Sequence, residues 1–169
     1  MAGAHDKAPI TQRLAALGLT LPPAVKPPPG VELPFRFVHV VGTRVLVSGH
    51  SAQAPDGSIA GPLGKLGREL TVEQGYAAAR LTALSILGSL ARELGNLDRI
   101  VRWLRVFGMV NSAPGFTRQP AVINGCSDLI VQLWGANAGA HARSAVGMAE
   151  LPFGVPVEIE AEVEIAAAR

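Results

Sequence analysis

The stretch Val157-Glu-Ile-Glu-Ala-Glu-Val-Glu-Ile165 alternates apolar and acidic residues without a break. Successive side chains of a strand point to opposite faces, so this period of two predicts a half-buried β-strand. Val157, Ile159, Ala161, Val163 and Ile165 would face a core. Glu158, Glu160, Glu162 and Glu164 would line the other face, spaced about 7 Å apart. Like charges at that spacing repel unless cations or water offset them, so Glu162 and Glu164 read as water-facing. A strand with one wet face suits an antiparallel sheet, and its partners lie upstream. Pro152-Phe-Gly154 reads as a turn and Arg143 to Leu151 as a strand, which together predict a closing hairpin.

Further out, the period changes. Thr71-Val-Glu-Gln74 fits a capping box, after which Ala77, Leu81, Leu84, Leu87, Leu90 and Leu94 recur at helical spacing, with Gly95 closing the helix. Asp98 to Asn111, rich in Val, Ile, Trp and Phe, reads as a strand. A second helix is predicted from about Pro120, placed at its first position, to just before Gly135, with Gly125 and Cys126 weakening its middle. Phe35 to Val41 and Arg44 to Ser48 form a hairpin whose Gly42-Thr43 loop suits a type II′ turn. Asp56-Gly57 marks a turn, and the chain to Gly67 is loop. At the N-terminal side, Ile10 to Leu17 is a short helix, and the five prolines of Leu21 to Gly30 dictate an extended connector. The expected organisation is one domain over residues 1–169, with residues 1–33 a helix and Pro-rich extension and 34–165 the core. The order of elements predicts an α+β fold with two helices packed on one face of a mainly antiparallel sheet.

Composition narrows the function. The chain has 169 residues, 49% of them hydrophobic and 17% charged, with a formal net charge of +2. That balance disfavours disorder and supplies no basic footprint for nucleic acid. A single cysteine, Cys126, excludes an internal disulfide framework and a multi-Cys zinc site. The longest apolar stretch, Leu81 to Ala91, is broken by Thr82, Ser85, Gly88 and Ser89 and is too short to span a bilayer. With no apolar region near His5, Asp6 and Lys7 to suggest a signal peptide, the expected location is the cytoplasm. The surplus of apolar residues points to subunit contacts rather than a membrane.

Few residues carry a chemical signature. His5, His39, His50 and His141 form no metal-ligand grouping, so no metal site is expected. Ser48 and His50 share a strand face, but parallel neighbours do not converge as a nucleophile and base must, and no nucleophile elbow is present. Cys126, in an apolar helical context, reads as a core residue. Gly61-Pro-Leu-Gly64-Lys65-Leu-Gly67 lacks the spacing of a phosphate loop. Arg99 and Arg105 share strand parity with Trp103 but Arg102 does not, so they make no single basic aromatic face. Arg143 differs, because it stands among Ala, Ser, Val and Gly. Such an arginine either reaches to solvent or grips a carboxylate, internal or from a ligand.

With these residues assembled, the chain resembles the RidA/YjgF family of enamine and imine deaminases. The resemblance rests on Val47-Ser-Gly49, Asn96-Leu-Asp-Arg-Ile-Val101, Ala142-Arg-Ser-Ala-Val-Gly147, and Leu151-Pro followed by Val157-Glu-Ile-Glu-Ala161. The extended N-terminus, Gly64-Lys-Leu-Gly67 and Gln119-Pro-Ala-Val-Ile-Asn-Gly-Cys-Ser-Asp128 are similar to its longer branch. The resemblance implies a chorismate-mutase-like fold and a homotrimer with clefts between subunits. It also implies cofactor-free hydrolysis of 2-imino or 2-aminoacrylate acids to 2-keto acids and ammonia. It assigns the carboxylate clamp to Arg143, the handling of water to Glu158 and a cleft serine to Ser48, with Asn124 as the cleft asparagine. Phe35 stands where the family has tyrosine, and His50 where it has glutamine. The expected partner is a small 2-imino or 2-keto acid, without nucleic acid or membrane. The alternative is a trimer that binds such a carboxylate without turning it over; RNA cleavage, attached to relatives, has no basic face or paired histidines to support it.

Overall fold

The computed structural model describes residues 8–27 and 29–167, so His5 lies outside the described residues. Helix α1 is Ile10–Ala16, followed by the Pro-rich segment, which forms no helix or strand among its described residues. Strands β1 (Val38–Val41) and β2 (Arg44–His50) form a hairpin closed by Gly42-Thr43, with Val41 opposite Arg44. Helix α2 spans Val72–Leu94, strand β3 Ile100–Asn111, helix α3 Gln119–Gly139, strand β4 Ala142–Met148 and strand β5 Val157–Ile165. The sheet order is β1-β2-β5-β3-β4, and only the β3–β4 pair is parallel.

Local chemistry explains the elements. Thr71 Oγ1 accepts from the Gln74 amide at 3.2 Å, and Gln74 Oε1 accepts from the Thr71 amide at 2.9 Å, completing the expected capping box. Pro120 sits one position later than expected, because Gln119 is the first helical residue of α3. At Gly135 the backbone leaves the helical region, which ends the regular part of α3 where the sequence placed it. In β5 the apolar residues Val157, Ile159, Ala161, Val163 and Ile165 are all buried, as the alternation requires.

Two expectations are corrected. The last two strands are not a hairpin: β4 is an edge strand beside β3, and β5 lies between β2 and β3. Helix α3 is a crossover that returns the chain parallel to β3, whereas the central slot goes to the strand with the fully apolar inner face. In α2, Ala77 and Leu81 are exposed, while Ala78, Ala79, Thr82 and Ala83 are buried. The helix contacts both the sheet and α3, so its buried surface is wider than one leucine stripe and is turned toward the small residues.

Helix α2 lies across β5 and β2, and α3 across β3 and β4. Between them and the sheet sits one core that includes Trp103, Leu87, Leu90, Ile123 and Ile130, and Ile10 and Leu14 of α1 join it. The other sheet face carries Leu46, Phe107, Glu160 and Glu162, with Glu162 paired to Arg44 at 2.6 Å. Among the described residues, no helix is long and apolar enough to cross a membrane.

Candidate functional site

The β2–β5 ladder slips between Val47 and His50, because Val47 faces Ala161 while His50 faces Ile159. Two residues, Ser48 and Gly49, therefore oppose one, which is a β-bulge. Ser48 Oγ donates to the Arg36 carbonyl at 2.8 Å. At Gly49 a Cβ would stand 2.9 Å from Glu158 Cδ and overlap its carboxylate oxygen. Glycine thus lets the Glu158 carboxyl group lie flat against the β2 backbone. Burial raises the pKa of Glu158 above the usual carboxylate value, with Glu160 on the same face adding to it.

Glu158 borders a cavity of about 320 Å³ whose walls include Phe35, Phe37, Ile59, Phe153 and Val155. Phe35 is 50% exposed and meets Phe37 edge-on, with ring centroids 5.3 Å apart. His50 borders the same cavity but is only 2% exposed, and both its ring nitrogens have protein partners. Nδ1 donates to the Ser48 carbonyl at 2.7 Å, and Nε2 accepts from Ser89 Oγ at 2.9 Å. Ser89 in turn accepts from Arg92 at 3.1 Å. His50 therefore offers the cavity a ring rather than a hydrogen-bonding nitrogen.

Burial lowers the pKa of His50 from 6.5 to about 4, outweighing the Ser48 carbonyl, and Arg92 lowers it further. The unfolded chain binds this proton near pH 6.5, so between that pH and about 4 the unfolded state holds more protons. Stability is expected to fall as pH drops through this window, by about 3 kcal/mol at its acid end, and to be insensitive to His50 above it. Urea titrations of wild type and His50→Gln from pH 7.5 to 4 measure this: the difference between them should shrink as pH falls. A constant difference would show that His50 is not buried neutral.

Arg143 belongs to a second group. Its partner in the β3–β4 ladder is Val106, a buried residue of the helix-facing side. The guanidinium accordingly reaches α3, where Nη1 donates to Asn124 Oδ1 at 2.8 Å and to Ser127 Oγ at 3.0 Å. Asn124 and Ser127 are three residues apart on one helix, so both face the same neighbour. Ser127 Oγ donates to His141 Nε2 at 3.0 Å, and His141 Nδ1 donates to the Gly139 carbonyl at 2.7 Å. Burial chiefly, and Arg143 in addition, keeps the pKa of His141 below its ordinary value. Neutral His141 thus holds the Ser127 hydroxyl with its lone pairs toward Arg143. Ser127 and His141 escaped the sequence reading; the Asn124–Ser127 spacing and the closeness of His141 to Arg143 were the available signals. Among the described residues, Arg143 makes no ion pair with a carboxylate.

Arg143 and Asn124 are thus brought together, and so are Phe35, His50 and Glu158, with Ser48 beside them on the bulge. The two groups do not meet within one chain. Glu158 pairs with Met109, which has the opposite strand parity to Val106 on β3. Arg143 and Glu158 consequently lie on opposite faces of the sheet, on strands separated by β3 and so roughly 10 Å apart across it. The remaining candidates are structural. Burial pushes the Cys126 thiol up to about 12, so it stays protonated. Lys65 spends its ammonium on Asn111 Oδ1, the Ala149 carbonyl and Glu150 Oε1, which ties its loop to the β4–β5 connection rather than to a phosphate. Arg99 donates to the Leu94 carbonyl at 3.2 Å, and Arg105 stacks over Phe107.

A profile of the family described as "YjgF/chorismate mutase-like, putative endoribonuclease" matches residues 11–156. Protein TCP17 of Trypanosoma cruzi is 42% identical over 159 residues, covering 92% of this chain and 94% of that protein. The crystal structure of Atu1372 from Agrobacterium tumefaciens, a protein of unknown function, superimposes with a TM-score of 0.82 at 40% identity, covering 93% of this chain and 92% of that one. A Shewanella oneidensis structure described as a "putative endoribonuclease" has a TM-score of 0.83 at 28% identity, covering 94% of this chain and 100% of that one.

Proposed function

Because the chain belongs to the YjgF/chorismate-mutase-like family, we propose that it hydrolyses reactive 2-imino acids and their enamine tautomers to 2-keto acids and ammonia. The observation that carries this reading is the condition of Arg143. It is held in place by two neutral oxygens on one nitrogen and has no counter-charge among the described residues. A planar guanidinium so held is suited to the carboxylate of an incoming acid.

The chemistry asks little more. An imine carbon is already electrophilic, so the site must hold the carboxylate, place one water and move protons. A carboxylate whose pKa is raised by burial is a stronger base for this task than an exposed one. On the iminium form, Glu158 takes a proton from water as the C–O bond forms at C2, giving a carbinolamine. It returns that proton to nitrogen, takes the remaining hydroxyl proton as the C–N bond breaks and C=O forms, and passes it to the departing ammonia. Ammonia leaves and the 2-keto acid remains.

Since Arg143 and Glu158 occupy opposite sheet faces, the cleft is assembled between copies in a homotrimer, Arg143 from one and Glu158 from the next. The test generates an imino acid in situ with an amino-acid oxidase and follows keto-acid release. The wild-type protein should accelerate release over the spontaneous rate, and no acceleration overturns the reading. Arg143→Ala and Glu158→Gln should each lose about 10²-fold in activity alone. Co-expressed in equal amounts, they should recover about a quarter of wild-type activity, because about one interface in four then pairs the two intact residues. Absence of recovery overturns the shared cleft.

A second reading has its own support. Phe35 lacks a hydroxyl and His50 has no unengaged nitrogen, which favours a trimer that binds a small carboxylate without turnover. Thermal stabilisation by 2-keto acids that depends on Arg143, in a protein without activity, would favour it.

A further inference from the structure

The cavity beside Glu158 is larger and more apolar than a small imino acid needs. Its volume of about 320 Å³ would hold about ten waters at their liquid volume. An acid built on three carbons would leave most of it empty.

Two features mark the cavity as a built site. Phe153 has φ 58°, the only positive φ outside glycine among the described residues, and the residue is 57% exposed at the cavity wall. A bulky residue in the left-handed region is strained by roughly 1 kcal/mol or more, and here it borders the same cavity as the exposed Phe35. The second feature is the Pro-rich extension, whose Val25, Val31 and Leu33 form part of the wall. The segment is tied down through Lys26 N–H to the Gly57 carbonyl at 3.1 Å and through Arg92 to the Pro22 carbonyl at 3.0 Å. It thus gives the cavity an apolar side built from outside the sheet.

We infer that this cavity receives the side chain of the substrate, and that the preferred substrate is a 2-imino acid carrying a large apolar side chain, aromatic or branched. The inference rests on the reading of Arg143 and Glu158 given above. With the carboxylate on Arg143 of the adjoining copy and C2 beside Glu158, the side chain extends between Phe35 and Phe153 into the cavity. The extension is then a specificity element, with no part in moving protons.

The test compares dissociation constants of phenylpyruvate and pyruvate by calorimetry on the full-length protein, which separates side-chain recognition from turnover. Phenylpyruvate should bind at least roughly tenfold more tightly, as burial of an aromatic side chain dictates. Phe153→Gly, which also relieves the backbone strain, and Ile59→Phe, which fills the cavity, should each bring phenylpyruvate toward pyruvate and leave pyruvate unchanged. Equal affinity in wild type overturns the side-chain pocket while leaving the carboxylate site standing. Binding of neither acid overturns both readings. A change of oligomeric state by Ile59→Phe, with selectivity unaltered, would assign the cavity to a neighbouring copy and overturn the inference.

Discussion

Arg143→Ala is expected to lower kcat/KM for the proposed imine hydrolysis roughly 10²-fold, the equivalent of about 3 kcal/mol, while leaving the fold intact. In the free protein the guanidinium touches only Asn124 and Ser127 through hydrogen bonds. Asn124 is exposed, so water replaces the lost donor at little cost. The loss therefore appears in ligand binding and turnover, not in thermal stability. Arg143→Lys keeps the charge but not the planar fork, and is expected to recover only part of the activity. Steady-state rates with the oxidase-coupled assay, alongside melting curves, check both. Wild-type kcat/KM in Arg143→Ala would remove the arginine from the site.

Gly125→Ala is expected to destabilise the protein by about 4 kcal/mol, lowering the melting temperature by about 10 °C. At this glycine α3 meets α2 backbone to backbone. A Cβ there would overlap the Tyr76 carbonyl oxygen and stand 2.9 Å from its carbon and 3.1 Å from the Arg80 nitrogen. A flexible side chain could move aside; a helix backbone yields only if the two helices separate. The expected gain in helix propensity, about 1 kcal/mol, is too small to offset that. Calorimetric melting of the variant checks the prediction, and a rise in melting temperature would show that the crossing is loose.

The same glycine shows where local reading stops. In the sequence, Gly125 counts only as a weak point of a helix. In the fold it is the residue that permits the closest approach of α2 and α3, because the cost of a side chain is set by a helix some fifty positions earlier in the chain. Leu81 carries the converse lesson. It continues the leucine repeat of α2 yet lies exposed, since α3 and the sheet together bury a face centred on alanines. Of the candidate site, Arg143 was legible because an arginine among small residues is conspicuous, and Asn124, which it meets in the fold, was named through the family resemblance. Ser127 and His141 were not, because a serine in a helix and a lone histidine have no meaning until the arginine is seen resting against them. The surroundings of His50 were hidden for a related reason: its partner Ser89 comes from α2 and occupies the nitrogen that strand alternation leaves undefined.

By itself the sequence determined what each segment is. The β5 strand, the capped α2 helix, the Gly42-Thr43 hairpin and the end of regular helix at Gly135 follow from periodicity and from backbone preferences of a few neighbouring residues. Only the tertiary structure decided how the segments are arranged: β5 in the centre, β4 parallel at the edge, and Arg143 and Glu158 on opposite faces of one sheet. Strand order depends on crossover paths and on contacts between residues far apart in the chain, and no local period encodes either. The α3 crossover that makes β4 parallel to β3 also turns Arg143 toward the helices and away from Glu158.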